Sequence, residues 1–99
     1  MTYSLRYTET FYRDLERLYD FLVLKDIALA ERAFQAVHKA MELLEDFPFS
    51  GRKVSEDDAL LRELVVPFGS AGYVTLFKIV DDRTVTILTV RHQREDDYH

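Results

Sequence analysis

Two apolar stripes at helical spacing, broken only at Lys25-Asp26, most constrain what this chain can fold into. In the first, Phe11, Leu15, Leu18 and Leu22 fall at i, i+4, i+7 and i+11, with Arg13, Asp14, Glu16, Arg17 and Asp20 on the polar sides. That spacing makes one apolar face of an amphipathic helix. In the second, Ile27, Ala30, Phe34, Val37, Met41 and Leu44 step 3-4-3-4-3, and Ala28, Ala33, Ala36 and Ala40 let a neighbour approach closely. Thr8 or Thr10 can cap the first helix, with Glu9 favoured at its positive end, and Asp26 can cap the second. So short a connection implies an antiparallel helical hairpin. The second helix has to stop near Asp46, because Pro48 and Gly51 cannot continue it.

Strand signals flank the hairpin. Tyr3, Leu5 and Tyr7 alternate with Ser4, Arg6 and Thr8, a short period-2 segment. Residues 50–59 are polar, with Arg52-Lys53 and Glu56-Asp57-Asp58, and are expected to be the longest loop. Strand-like runs follow at 61–66, 73–80 and 84–91; Pro67 to Gly72 links the first pair, and Asp81-Asp82-Arg83 is a short hairpin connection. The order β-α-α-β-β-β predicts an α+β fold, with the N-terminal strand and helical hairpin packed on an antiparallel sheet. The later strands are apolar on both alternating sets. Leu64, Val66, Val74, Leu76, Leu88 and Val90 form one, and Val65, Tyr73, Phe77, Ile79, Val85 and Ile87 form the other. Two helices cover only one face of a small sheet, so the second is expected to stay partly exposed, available to a partner or to a second copy in a homodimer.

The bulk numbers narrow the class further. A chain of 99 residues, 47% of them hydrophobic, is expected to form one domain over 1–99 with a single core. The absence of cysteine excludes disulfides and thiolate metal sites, and fits a reducing compartment. Met1-Thr2-Tyr3-Ser4-Leu5-Arg6 does not read as a signal peptide, and no window approaches the roughly 18 apolar residues of a membrane span, so a cytoplasmic location is expected. The net charge is −5, from 13 Lys+Arg against 18 Asp+Glu. Proteins that grip nucleic acid need a cationic face to displace counterions, so direct nucleic-acid binding is not expected. His38, His92 and His99 have no metal-ligand neighbours at recognisable spacing, and no cofactor is expected.

Several words along the chain carry a family resemblance. They are Phe11-x-x-Asp14-Leu15, Leu44-x-x-x-Pro48-x-x-Gly51-Arg52, Leu61-Arg62-x-Leu64, Tyr73-Val74-x-Leu76-Phe77 and Val85-x-Ile87-Leu88-x-Val90-x-His92-x-Arg94, followed by the polar tail to Tyr98. In this order the chain resembles the RelE/ParE toxin superfamily over nearly its whole length. The resemblance implies the toxin of a type II toxin–antitoxin, or plasmid stabilisation, module, whose antitoxin covers its exposed surface by strand addition or helix-in-groove binding. RelE-like members are ribosome-dependent mRNA endoribonucleases, whereas ParE-like members inhibit DNA gyrase by binding it.

The residues discriminate between these branches. Metal-free RNA cleavage needs an acid, a base and cations around the phosphate. RelE-like toxins are expected to supply Lys and Arg on the sheet and a tyrosine in the tail. Here Arg62 stands beside Glu63 without a lysine pair, and Val74 occupies the place of the arginine in the family's Gly-Tyr-Arg word. Arg91, Arg94 and Tyr98 lie among Glu95, Asp96 and Asp97. The resemblance is therefore to the ParE branch. In a nuclease, Arg62, Arg91, His92, Arg94 and Tyr98 would carry the chemistry, with His92 titrating near neutral pH. A plainer reading ends a strand at His92, pairs Arg91 and Arg94 with nearby acids and packs Tyr98 on the sheet edge. For a toxin that acts by binding, the candidate partner contacts are Tyr12, Tyr19, Arg52, Tyr73, Phe77 and Ile87, with Phe77 and Ile87 on the sheet face expected to be exposed. A toxin fold with little or no toxicity is a third option.

Overall fold

The computed structural model describes residues 2–69 and 71–93. Strand β1 (Ser4–Tyr7) leads into helices α1 (Glu9–Val23) and α2 (Ile27–Asp46). A single 3-10 turn (Pro48–Ser50) precedes β2 (Arg52–Ser55), β3 (Asp58–Phe68), β4 (Ala71–Ile79) and β5 (Thr84–His92). The Thr8 hydroxyl caps α1 by accepting the Phe11 N–H, and the Asp26 carboxylate caps α2 by accepting the Ala28 N–H. Each satisfies one backbone donor that a helix start leaves open.

The sheet order is β1-β5-β4-β3-β2, with β1 parallel to β5 and every other pair antiparallel. The predicted loop at 50–59 is instead the 3-10 turn, edge strand β2 and the start of β3. Its polar residues concealed the strand, because an edge strand in water has no need of an apolar face. The predicted link at 67–72 is also mostly strand: Pro67 pairs with Gly72 and Phe68 with Ala71 across a tight connection. Gly69, at φ 63°, supplies the left-handed conformation that such a turn requires.

The core lies between the helices and one sheet face. Phe11 of α1 and Ala33, Val37, Met41 and Leu44 of α2 meet Val66, Tyr73, Phe77, Ile79, Val85, Ile87 and Val90, with Leu5, Tyr7 and Leu64 packed at the margin. This set mixes the two predicted alternating sets for two reasons: the register sets Val66 of β3 opposite Tyr73 of β4, so they share a face, and β5 changes parity along its length. In β4 and β5, Leu76 pairs with Thr89 but Phe77 pairs with Ile87, leaving Leu88 as an extra residue, a β-bulge. Across the bulge the inward parity of β5 changes from Val85 and Ile87 to Val90 and His92. The second helical seam also turns partly outward. Ala30, Val37, Met41 and Leu44 are buried, whereas Ile27 and Phe34 are exposed.

Polar groups of the α1 cap, of α1 and of β4 complete the bulge. The Thr8 hydroxyl donates to Leu88 O at 2.7 Å, Val90 N–H donates to Asp14 Oδ2 at 3.3 Å, and the Thr75 hydroxyl donates to Thr89 O at 2.9 Å. The bulge thus leaves none of these buried backbone groups unpaired, and α1 is pinned to the sheet by hydrogen bonds as well as by packing.

Candidate functional site

The nuclease candidates do not converge on one site. Arg62 lies near the middle of β3, opposite Phe77. Its guanidinium donates to Ala59 O (2.8 Å), Phe49 O (3.2 Å) and Gly51 O (2.7 Å), and it sits over the Phe49 ring at 4.9 Å. These bonds make Arg62 a clamp that holds the 3-10 turn and β2 against β3. Arg91 and His92 are neighbours on β5 and so point to opposite faces, Arg91 opposite Val74 and His92 opposite Tyr73. The His92 ring meets Tyr73 edge-on at 5.8 Å, on the helix side. Arg62 lies four residues before Val66, the β3 partner of Tyr73, so it is roughly 13 Å along the sheet from the level of His92. Arg94 and Tyr98 lie outside the described residues. Val74, in the position of the family arginine, is buried.

The partner-contact candidates divide in two. Tyr73, Phe77 and Ile87 are buried beneath the helices and are corrected as exposed contacts: their face is the one the hairpin covers. Burial pushes the Tyr73 phenol up from its ordinary value. The opposite face carries Leu61, Val65 and Leu76, half-buried, among Glu63, Lys78, Thr86, Thr89 and Arg91. Ion pairs cross it, Arg52 to Glu63 at 2.6 Å and Lys78 to Asp58. Arg52 is thereby engaged on the edge strand.

Tyr12 and Tyr19 are placed as the helical spacing predicted, on one face of α1. Tyr12 is 56% exposed and its ring meets Tyr7 and Phe11. Tyr19 meets Phe34 of α2 edge-on at 6.2 Å. Between the helices an open groove of about 550 Å³ is lined by Tyr12, Leu15, Glu16, Tyr19, Glu31, Phe34 and Gln35. A second depression of about 140 Å³ shares Tyr12, Leu15 and Phe34 and reaches Val37, His38, Met41 and Tyr7. The Tyr7 phenol there is pushed up, first by burial and then by the Glu45 and Tyr12 charges. Of these residues the sequence placed Phe34 in the apolar seam of the second helix and Glu16 on a polar side of the first, and none of Glu16, Glu31, Phe34 and Gln35 as a partner contact. Phe34 was the available signal, a large aromatic that the structure leaves 47% exposed. Among the described residues no group of His, Cys, Asp or Glu is placed to hold a metal ion, and no helix is long and apolar enough to cross a membrane.

A helical hairpin across one face of this sheet, with an open aromatic groove along its outer seam, is the build of a small toxin of the RelE/ParE class. Comparisons with known proteins make the assignment specific. The family model for the ParE toxin of the type II toxin–antitoxin system parDE matches residues 5–97, and the chain belongs to that family. Toxin RelE3 of Caulobacter vibrioides is 34% identical over 83 residues, covering 84% of this chain and 86% of the relative. Toxin RelE1 of the same organism is 30% identical over 80 residues, covering 81% and 83%. Among solved structures, a chain of the chromosomal ParDE system of P. aeruginosa superposes with a TM-score of 0.71 at 21% identity, over 92% of this chain and 96% of that one. A chain of the RelBE2 toxin–antitoxin complex of Mycobacterium tuberculosis gives 0.62 at 26% identity, over 93% and 99%.

Proposed function

We propose that this type II toxin acts by binding a protein target, with DNA gyrase the expected one, and that a cognate antitoxin neutralises it. One observation carries the reading. The cations that RNA cleavage would need are dispersed: Arg62 is spent on three backbone carbonyls, and Arg91 and His92 lie on opposite faces of the sheet. Oxyanion stabilisation requires donors aimed at one point, and this spread does not supply that. The net charge of −5 supports the same reading, since a chain of net negative charge repels an RNA backbone at long range.

The test is induced expression without antitoxin, with growth, SOS induction and transcript integrity scored together. Filamentation and SOS induction over intact transcripts are the expected outcome. The names of the two relatives, both RelE toxins, favour a second reading as a ribosome-dependent endoribonuclease. Codon-position cleavage of translated messages, lost on replacing Arg91 or His92, would establish that second reading and overturn the first. Normal growth would overturn both in favour of a toxin fold without toxicity.

A further inference from the structure

Residues 48–57, between the end of α2 and the start of β3, contribute little to the core. Within them only Pro48 and Gly51 are buried, while Phe49 and Val54 are 54% and 46% exposed. Their pairing with the sheet is thin. Arg52 lies opposite Glu63 and Lys53 opposite Arg62, and the register then breaks before Ser55 meets Asp58. Both ends of the segment are fixed: Phe47 N–H donates to Leu43 O at 2.8 Å, and Lys78 of β4 pairs with Asp58. Between those ends one side chain supplies most of the polar hold. The Arg62 guanidinium is oriented by its bond to Ala59 O in its own strand, donates across to Phe49 O and Gly51 O, and covers the Phe49 ring. The exposed pair Arg52–Glu63 adds one further tie to β3.

We propose that residues 48–57 form a flap that opens as a unit without global unfolding, hinged at Phe47 and Asp58 and latched by Arg62. An edge segment with few buried apolar contacts and solvent-facing hydrogen bonds opens at a lower free energy than the core it lies on. Hydrogen bonds from a charged donor are the stronger kind, so the two that cross from Arg62 outweigh an exposed ion pair, which water and side-chain entropy weaken. Opening uncovers the β3 edge at Arg62 and Glu63 and lifts Gly51 off the tip of the Phe77 ring. A bared strand edge is a template for pairing with another chain, and the latch keeps this one covered. Opening also releases the Arg62 guanidinium, which the closed flap holds on backbone carbonyls and away from any anionic ligand.

Native-state hydrogen exchange in low urea, resolved amide by amide on the full-length chain, tests both the flap and its latch. In the wild type, the protected amides of β2 and the Ser50 amide of the 3-10 turn are expected to exchange through an opening with little urea dependence. Those that pair β4 with β5 are expected to show the full urea dependence of global unfolding. Urea dependence is the discriminating quantity, because a bond lost from the closed state speeds local and global exchange alike. In Arg62→Gln the flap amides should exchange about ten- to hundredfold faster, and in Arg52→Gln only about two- to fivefold. Should Arg62→Gln fail to fold, Arg62→Lys, which keeps the charge and one donor group, is expected to give a smaller acceleration of the same amides. Flap amides with the same urea dependence as β4 and β5 would overturn the separate opening, and flap amides with no protection would show that nothing holds the segment closed. Wild-type rates in the Arg62 variants, or an equal effect from Arg52→Gln, would overturn Arg62 as the latch.

Discussion

Gly51 and Phe77 form a contact whose energetics can be worked out and tested. Phe77 is fully buried, and its ring tip reaches the backbone at Gly51, where β2 begins. A Cβ added at Gly51 would lie 2.5 Å from Phe77 Cζ, 2.9 Å from Cε1 and 3.0 Å from Glu63 O. Gly51 itself has φ −71° and ψ 151°, a conformation any residue adopts, so sterics alone exclude alanine there. Gly51→Ala alone should therefore destabilise by about 1–3 kcal/mol through overpacking. Phe77→Leu should cost about 1–2 kcal/mol, because it shortens the side chain and leaves a small cavity at its tip. In the Phe77→Leu background the two closest clashes are gone. The added methyl then fills space and lowers the entropy of the unfolded chain, worth about 0.4–1 kcal/mol. The methyl still meets Glu63 O at 3.0 Å, which offsets that gain, so Gly51→Ala should become about neutral, a coupling of about 1–3 kcal/mol between the two sites. Urea unfolding followed by far-ultraviolet circular dichroism and by fluorescence of the six tyrosines measures all four corners of the cycle. A coupling below about 0.5 kcal/mol, the range for independent sites, would refute the contact. Antitoxin affinity that fell in Phe77→Leu with no loss of stability would instead return Phe77 to the binding surface.

The bulge should be equally sensitive. Asp14→Ala is expected to lower stability by about 1–3 kcal/mol, because the N–H of the buried Val90 loses its acceptor, whereas Asp14→Asn keeps an acceptor oxygen and should cost less. Hydrogen exchange at Val90, faster in the alanine variant, would locate the effect; an unchanged rate would show that the bond does not matter. Alkaline pH supplies a third test. The phenols of Tyr7 and Tyr73 are raised in the folded protein, burial being the leading cause at each. Their contribution is fully present below the ordinary tyrosine value and is lost as pH rises through the raised folded values. Thermal stability should therefore fall above about pH 10, and less steeply in Tyr7→Phe/Tyr73→Phe; identical profiles would rule out both phenols as the cause.

Local chemistry was legible along the chain. Thr8 and Asp26 cap the helices as their positions predict, because capping needs only a side-chain oxygen and the next backbone donors. The end of α2 at Asp46 follows from Pro48, and Tyr12 and Tyr19 share a helix face because spacing alone dictates it. Strand β2 was not legible, since an exposed edge strand carries the polar composition of a loop. What tertiary structure decided was which alternating set the helices cover. Period-2 patterning separates two faces but assigns neither to the core, and here both were apolar. The bulge at Leu88 then exchanged the faces within one strand, taking Val90 and His92 inward and Arg91 outward. Nothing local to residues 87–90 specifies this; it depends on pairing with β4 and on acceptors and donors from Thr8, Asp14 and Thr75. The sequence by itself determined the two helices with their caps, the strands other than β2, and the family. Only long-range pairing and packing turned Phe77 from a surface contact into core, decided that His92 and not Arg91 faces the helices, and left the groove between the helices open.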